Sequence, residues 1–156
     1  MSVRRAPRGE MEIRLSLALP ADAASVPLTR RVVTDALTVM GVDDECVAEV
    51  GVAISEACTN VLDHAGGAEY DVVAAIDERA AVIQVLDRGA GFEGAALDGG
   101  DAPTDAETGR GIQLMRRLVD RVRFEVALRG GTVLHLEKRL TWRPDALGRP
   151  PPSPPG

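Results

Sequence analysis

The chain has 156 residues, the size of one ordinary domain and enough to bury a core without disulfides or metals. Its net charge of -6 at pH 7 excludes a broad basic surface of the kind that binds nucleic acid or anionic lipid. One Trp, one Tyr and two Phe are too few for the stacking surface that single-stranded nucleic acid requires. We therefore expect a single site for a small ligand or a protein partner, without direct nucleic acid binding.

The apolar stretch IRLSLALPADAA, residues 13–24, is too short and too interrupted for a secretory segment or a membrane-spanning helix. Cys46 and Cys58 belong to no CxxC motif or Cys/His cluster. This pattern favours buried small hydrophobic residues over metal ligands or a redox pair. We expect a cytoplasmic protein with no membrane association.

The first half of the chain predicts one strand followed by two helices. Residues 11–19 alternate apolar and polar side chains, which is the period of a half-buried strand. Asp22 is predicted to cap a helix over residues 23–40, and Gly41 to end it. A second helix is predicted to start at the two aspartates 43–44 and to run to the glycine pair 66–67.

The second half predicts a hairpin, a long glycine-rich loop, a helix and a second strand pair. The hairpin is AEYDVVAAID with AVIQVLD, the loop is residues 88–108, the helix starts at Gly109, and the last strands are RVRFEVAL and TVLHLEKRL. Hairpin-linked strands with helices collected on one side indicate the α+β class. We expect a two-layer α/β sandwich with a mixed, largely antiparallel sheet and helices on one face.

The composition also predicts where the domain begins and ends. Residues 1–10 are expected to be a flexible N-terminus, and residues 11–140 to be the domain. Residues 141–156 contain six of the ten prolines, so we expect a disordered or polyproline-type tail there.

The stretch SEACTNVLDHA, residues 55–65, places Glu56 and Asn60 one helical turn apart, so both side chains leave the same face of the helix. On a helical wheel this face lies away from the apolar stripe. One interpretation is a solvated polar face. The other is a site in which the Asn carboxamide oxygen ligates Mg²⁺ and Glu acts as a base on a hydroxyl or water. From the pair alone, the solvated polar face is the favoured interpretation.

Two glycine motifs follow. In DRGAGF, Asp87 leaves a strand end where it can accept a hydrogen bond from an exocyclic amine, and Gly89 and Gly91 let the backbone approach a planar ring. In TGRGIQLM, Gly109 and Gly111 lead into a helix N-terminus, an arrangement suited to phosphate. Each motif alone is weak, but their order on one small sandwich makes independent coincidence the poorer explanation.

Taken in this order, the three motifs resemble the N, G1 and G2 boxes of the GHKL ATP-binding fold, which gyrase, histidine kinases and MutL share. The chain is most similar to the anti-sigma factor serine kinases of the RsbW and SpoIIAB type. The resemblance covers roughly residues 11–140. It implies a Bergerat-type ATP-binding domain with ATP and Mg²⁺ as cofactors.

The resemblance also implies roles at the reacting end of the nucleotide. Glu56 corresponds to the general base, and Asn60 to the residue that holds the Mg²⁺ bridging the ATP phosphates. Gly109, Arg110 and Gly111 correspond to the segment that lines and neutralises the phosphates.

At the adenine end, Asp87 corresponds to the residue that reads the adenine amine, and Gly89 and Gly91 shape its pocket. Thr132 corresponds to a position that supports this Asp through a water. Residues 92–108 correspond to a lid over ATP.

The function implied by the resemblance is that of an ATP-binding serine-protein kinase acting as an anti-sigma factor. Such a protein sequesters a sigma factor and phosphorylates a serine on an anti-anti-sigma antagonist of the STAS type. The alternatives are a non-catalytic binding module, dependent on ATP or independent of it, and a plain ATPase. A homodimer is possible, with the first strand and helix as the expected interface.

Overall fold

The computed structural model describes residues 11–64, 67–87, 106–126 and 131–146. In this part of the chain there are three helices and five strands. In chain order they are β1 (Ile13–Pro20), α1 (Ser25–Met40), α2 (Asp44–His64), β2 (Glu69–Ile76), β3 (Ala80–Asp87), α3 (Ala106–Leu118), β4 (Arg121–Val126) and β5 (Thr132–Arg139).

The five strands form one sheet in the order β1-β2-β3-β5-β4. All four pairings in it are antiparallel, so the predicted antiparallel character is confirmed and the described sheet contains no parallel pair. Alternation along each strand places one set of side chains against the helices. In β2 these are buried and lie two residues apart: Tyr70, Val72, Ala74 and Ile76. The predicted α+β class is confirmed.

Helix α2 is the central helix of the second layer, because it contacts both α1 and α3 as well as β3 and β5. It has 21 residues, and its buried residues include Val50, Ile54, Ala57 and Asn60. The hydrophobic core joins its apolar side chains to those of α1, α3 and the inner face of the sheet. Within the described residues, no helix combines the length and the apolar composition that a membrane span requires.

The helix boundaries follow the predicted caps with one exception. Asp43 caps α2, since its Oδ1 accepts a hydrogen bond from the Cys46 N–H at 2.8 Å. Gly41 ends α1 with a φ of 98°, a left-handed conformation that glycine adopts without strain. The predicted cap at Asp22 is wrong, because the N-cap of α1 is Ala24 and Asp22 instead closes a turn, accepting a hydrogen bond from the Ala24 N–H at 2.8 Å.

Helix α3 begins at Ala106, three residues before the predicted start at Gly109. The last residues of the predicted lid, 106–108, are therefore helical. The remaining lid residues, like Gly89 and Gly91, lie outside the described part of the chain. Gly109 and Gly111 consequently belong to the first turns of α3 and do not precede it.

The packed chain continues past the predicted domain boundary at residue 140 as far as Ala146. Trp142 forms a β-bridge with Val42, and its indole N–H donates to the Glu78 carbonyl oxygen at 3.1 Å. The Arg143 N–H donates to the Gly41 carbonyl oxygen at 2.9 Å. The first residues of the predicted tail thus join the α1–α2 connection to the β2–β3 turn, and residues 147–156 lie outside the described residues.

Candidate functional site

Glu56 and Asn60 lie on the C-terminal half of α2. Asn60 is only 8% exposed and Glu56 is half-buried, so the interpretation of this face as a solvated polar surface is wrong. A carboxamide that is taken out of water needs polar partners, because an unsatisfied buried amide is costly. The burial of Asn60 therefore favours a specific polar role over a solubilising one.

The side chain of Glu56 lies directly against the backbone of Gly111 in α3. A Cβ atom added to Gly111 would stand 2.9 Å from Glu56 Oε2, closer than side-chain carbons approach their neighbours. Only glycine allows the carboxylate to rest at this place. The contact brings the first and third motifs together, although they are more than fifty residues apart in the chain.

Gly109 stands one helical turn from the start of α3 and faces open space, since a Cβ there would meet no atom within 4 Å. The first four N–H groups of a helix have no partner within the helix and point along its axis. Together with the helix dipole they favour an anion. Arg110, which is exposed beside Gly109, adds a positive charge to the same end of α3.

Asp87 and Thr132 meet at the ends of neighbouring strands. The register of β3 with β5 pairs Leu86 with Val133, so Asp87 and Thr132 occupy the next opposing positions. Both face the helices and both are buried, with exposed fractions of 7% and 5%. A buried carboxylate beside a buried hydroxyl forms the polar end of a pocket that can read a hydrogen-bond donor on a ligand.

The connection from α2 to β2 puts these groups at one end of the sandwich. Helix α2 ends at His64, β2 begins at Glu69, and Tyr70 near the start of β2 pairs with Asp87 at the end of β3. The C-terminal end of α2 and the C-terminal end of β3 are therefore neighbours. Asn60 lies one turn from that end of α2, between Glu56 and the strand ends.

Tyr70 is a part of this region that the sequence motifs did not indicate. Its side chain is fully buried opposite Asp87, and its hydroxyl forms a hydrogen bond with Ser25 Oγ at 2.5 Å. Burial raises the pKa of Tyr70, so the phenol stays neutral. The alternation of β2 places Tyr70 on the inner face, but only the register with β3 places it beside Asp87.

The residues present fit a magnesium nucleotide better than a metal held by the protein alone. Among the described residues there is no group of three or more His, Cys, Asp or Glu side chains that would hold a metal ion. Asn60 offers one oxygen, and Mg²⁺ commonly binds through few protein oxygens together with substrate phosphates. The open space beside Gly109, two residues from the contact of Gly111 with Glu56, leaves room for such phosphates.

The fold agrees with comparisons with known proteins. Residues 19–138 match the model of the histidine kinase-like ATPase domain. The chain is 29% identical over 137 residues to the serine-protein kinase RsbW of Halalkalibacterium halodurans, covering 81% of this chain and 83% of that protein. It is 27% identical over 122 residues to the serine-protein kinase RsbW of Bacillus cereus, covering 71% of this chain and 76% of that protein.

A solved structure shows the same fold. The crystal structure of the RsbU and RsbW domains of a Mycobacterium tuberculosis protein superposes with a TM-score of 0.64 at 24% identity. The match covers 85% of this chain and 33% of the longer chain. The resemblance to the GHKL fold and to RsbW-type kinases is thus confirmed, and the match over residues 19–138 shows that the chain belongs to the histidine kinase-like ATPase domain family.

Proposed function

We propose that this protein binds ATP with Mg²⁺ and transfers the γ-phosphoryl group to a serine of a partner protein. The contact between Glu56 and Gly111 carries the proposal. It sets a carboxylate against the first turns of α3, where a nucleotide's phosphates would lie. A base beside a phosphate site is the minimum that phosphoryl transfer requires, because positioning and charge neutralisation supply most of the catalysis.

The adenine end of the nucleotide is assigned to the strand ends. Asp87 accepts a hydrogen bond from the exocyclic amine of adenine, and Thr132 beside it completes the polar wall. The burial of both side chains supports this assignment, since a hydrogen bond that excludes water discriminates strongly between bases. The glycines at 89 and 91 are proposed to shape the rest of this pocket.

The phosphate end is assigned to α3 and α2. The N–H groups of the first turn of α3 and the guanidinium of Arg110 face the triphosphate. Asn60 holds Mg²⁺ through its carboxamide oxygen. The ion, when bound, neutralises charge on the phosphate oxygens.

Glu56 is the proposed general base. The serine hydroxyl oxygen of the partner bonds to the γ-phosphorus as the bond from that phosphorus to the β–γ bridging oxygen breaks. The hydroxyl proton passes to Glu56, and ADP leaves with the bridging oxygen. The half-burial of Glu56 supports this role, because the carboxylate is reachable by a partner side chain and is still partly shielded from water.

The partners follow from the resemblance to RsbW-type kinases. We propose that the chain sequesters a sigma factor and that a STAS-type antagonist supplies the serine. Relatives named serine-protein kinase RsbW, at 27–29% identity over most of this chain, support the kinase class.

Substitution of Glu56 by Gln tests the kinase against a non-catalytic binding module. The amide keeps the shape of the side chain but accepts no proton, so transfer from γ-labelled ATP to purified STAS proteins of the same organism should fall by about 100-fold or more. The dissociation constant for MgATP, measured by calorimetry, should stay within about twofold. Glu45→Gln, which removes an exposed carboxylate from the same helix, is the matched control.

Asp87→Asn is the complementary variant, because it should abolish nucleotide binding, whereas Glu56→Gln should abolish transfer and keep binding. If Glu56→Gln transfers phosphate as fast as the unmodified protein, the assignment of the base is wrong. If the unmodified protein binds MgATP and a partner but labels no serine, the binding module is the correct function.

A further inference from the structure

Lys138 is the only lysine among the 18 basic residues of the chain, all others being arginine. It lies near the end of β5 with its side chain 18% exposed. Long cationic side chains rarely become this buried unless they are paired. The partners of Lys138 therefore indicate what it does.

The ammonium group of Lys138 joins three elements. It donates one hydrogen bond to Glu49 Oε2 in α2 and a second, at 2.8 Å, to the carbonyl oxygen of Leu118, the last residue of α3. A cation on the last carbonyl groups of a helix also complements the helix dipole. Burial by itself would lower the pKa of Lys138, but the hydrogen bond to Glu49 and its charge outweigh that effect and raise the pKa, so the group stays charged.

The C-terminal end of α3 is attached to β5 by further bonds. The Asp120 N–H donates to the Glu137 carbonyl oxygen at 2.9 Å, and the Arg139 N–H donates to Asp120 Oδ2 at 2.7 Å. This end of α3 is therefore bonded to the sheet directly, and to α2 through Lys138.

The bridge and the contact with the candidate base lie on the same α2–α3 interface. Glu49 and Glu56 are seven residues apart in α2, and Leu118 and Gly111 are seven apart in α3, so each pair shares a helical face. At 1.5 Å per residue the two ends of this interface are roughly 10 Å apart. The helices thus run antiparallel, with Lys138 at one end and the Glu56–Gly111 contact at the other.

We infer that Lys138 is a positioning residue for the proposed phosphoryl transfer: by bridging Glu49 and Leu118 it holds α3 against α2, so that the phosphate-binding turn stays beside Glu56. The inference rests on the proposed function for its chemistry. Its structural part, that Lys138 sets the spacing of α2 and α3, does not depend on the proposed function. Loss of the bridge frees the two helices to shift relative to each other without removing any group that touches the nucleotide.

The expected kinetic signature is a fall in kcat without a matching loss of ATP affinity. The pairing of β3 with β5 is made by backbone groups and does not use the Lys138 side chain, so Asp87 and Thr132 should keep their positions in Lys138→Met. A misplacement of about 1 Å at the reacting atoms costs up to about 100-fold in rate. Lys138→Met should therefore lower the kcat for transfer of the labelled γ-phosphoryl group from MgATP to the partner serine by about 10- to 100-fold, while the dissociation constant for MgATP changes less than about threefold.

Matched variants separate positioning from lost charge or lost stability. Arg117→Met removes an exposed cation from the same last turn of α3 and should leave kcat unchanged. Glu49→Gln keeps the bond from Lys138 to Leu118 and should give a smaller fall than Lys138→Met, and the double variant should be no worse than Lys138→Met alone. If Lys138→Met lowers only the melting temperature and keeps kcat, the inference is wrong. If Lys138→Met does not fold, Glu49→Gln is measured in its place, and an unchanged kcat in that variant would overturn the inference.

The distance between α2 and α3 can be measured without an activity assay, and it tests whether Lys138 holds the two helices together. Spin labels on Thr59→Cys and Gln113→Cys, both at exposed positions, report the separation of α2 from the middle of α3. The native Cys46 and Cys58 are buried, so we expect the label to react at the two introduced cysteines, and the unmodified protein serves as the labelling control. Lys138→Met should lengthen or broaden this distance, and an unchanged distribution would overturn the inference. A protein with no ATP turnover in which the distance still responds to Lys138→Met would refute the proposed function and leave the positioning role standing.

Discussion

Substitution of Gly111 by Ala probes the closest contact in the candidate site. The added methyl group would stand 2.9 Å from Glu56 Oε2, whereas ordinary contact is 3.4–4 Å, so the carboxylate must move by roughly 0.5 to 1 Å. Glu56 moves at its flexible end, so the backbone can keep its place. The predicted effect is a displaced base in a protein that still folds.

The magnitudes of the opposing effects are similar. Alanine is better than glycine in a helix by about 0.5–1 kcal/mol. Forcing Glu56 away from its preferred rotamer costs about 0.5–1.5 kcal/mol. The free energy of unfolding of Gly111→Ala should therefore lie within about 1 kcal/mol of the unmodified protein, while its rate of phosphoryl transfer falls by about 10- to 100-fold.

Gly109→Ala is the internal control, because its methyl group meets no atom within 4 Å. Without nucleotide, Gly109→Ala should gain the helix preference of alanine over glycine, and its Tm should rise by about 1–4 °C. The comparison consists of thermal unfolding of both variants without nucleotide and, for Gly111→Ala, the rate of partner labelling from γ-labelled MgATP. Equal gains in Tm for the two variants, with full activity in Gly111→Ala, would refute the contact between Glu56 and Gly111.

Two further predictions concern titratable groups away from the reacting end. Hydrogen bonds from the Thr141 side chain and the Cys46 N–H lower the pKa of Asp43, so its contribution to stability is present above its unfolded pKa and is lost as pH falls through the lower folded value. Asp43→Ala should cost about 1 kcal/mol of unfolding free energy at pH 7, and Asp43→Asn should flatten the acid limb of stability against pH. Burial raises the pKa of Cys58 from 9.0 to about 12, so its contribution is complete below pH 9.0 and is lost as pH rises to about 12. Between pH 9.0 and about 12, the free energy of unfolding measured by denaturation should fall less steeply with pH for Cys58→Ala than for the unmodified protein. An equal slope for the two proteins would contradict titration of this buried thiol as the cause.

The candidate site illustrates which relations a local pattern predicts. The spacing of Glu56 and Asn60 predicted a shared helical face, because residues four apart in a helix always neighbour each other. The wheel nevertheless suggested a solvated face, whereas Asn60 is buried. A wheel drawn from one apolar stripe cannot show that a second helix, α3, covers the opposite side of α2.

The end of the domain shows the same limit. The prolines of residues 141–156 favoured a tail from residue 141 onwards, yet Trp142 and Arg143 bond to residues far earlier in the chain. The start of α3 was placed at Gly109 because glycine usually interrupts a helix, whereas the helix continues through Gly109 and Gly111 from Ala106. At Trp142 and Arg143 contacts with distant residues outweighed the local preference, whereas in α3 the two glycines are simply tolerated within the helix.

By itself the sequence determined the order and type of the elements, the inward faces of the strands and the three motifs. These depend on residues a few positions apart, where backbone geometry alone decides which side chains share a face. Only the tertiary structure decided that Glu56 rests on Gly111, that Asp87 meets Thr132 and Tyr70, and that Lys138 links α2 to α3. These relations join residues that are distant in the chain, and they exist only because packing the helices on the sheet brings those residues together.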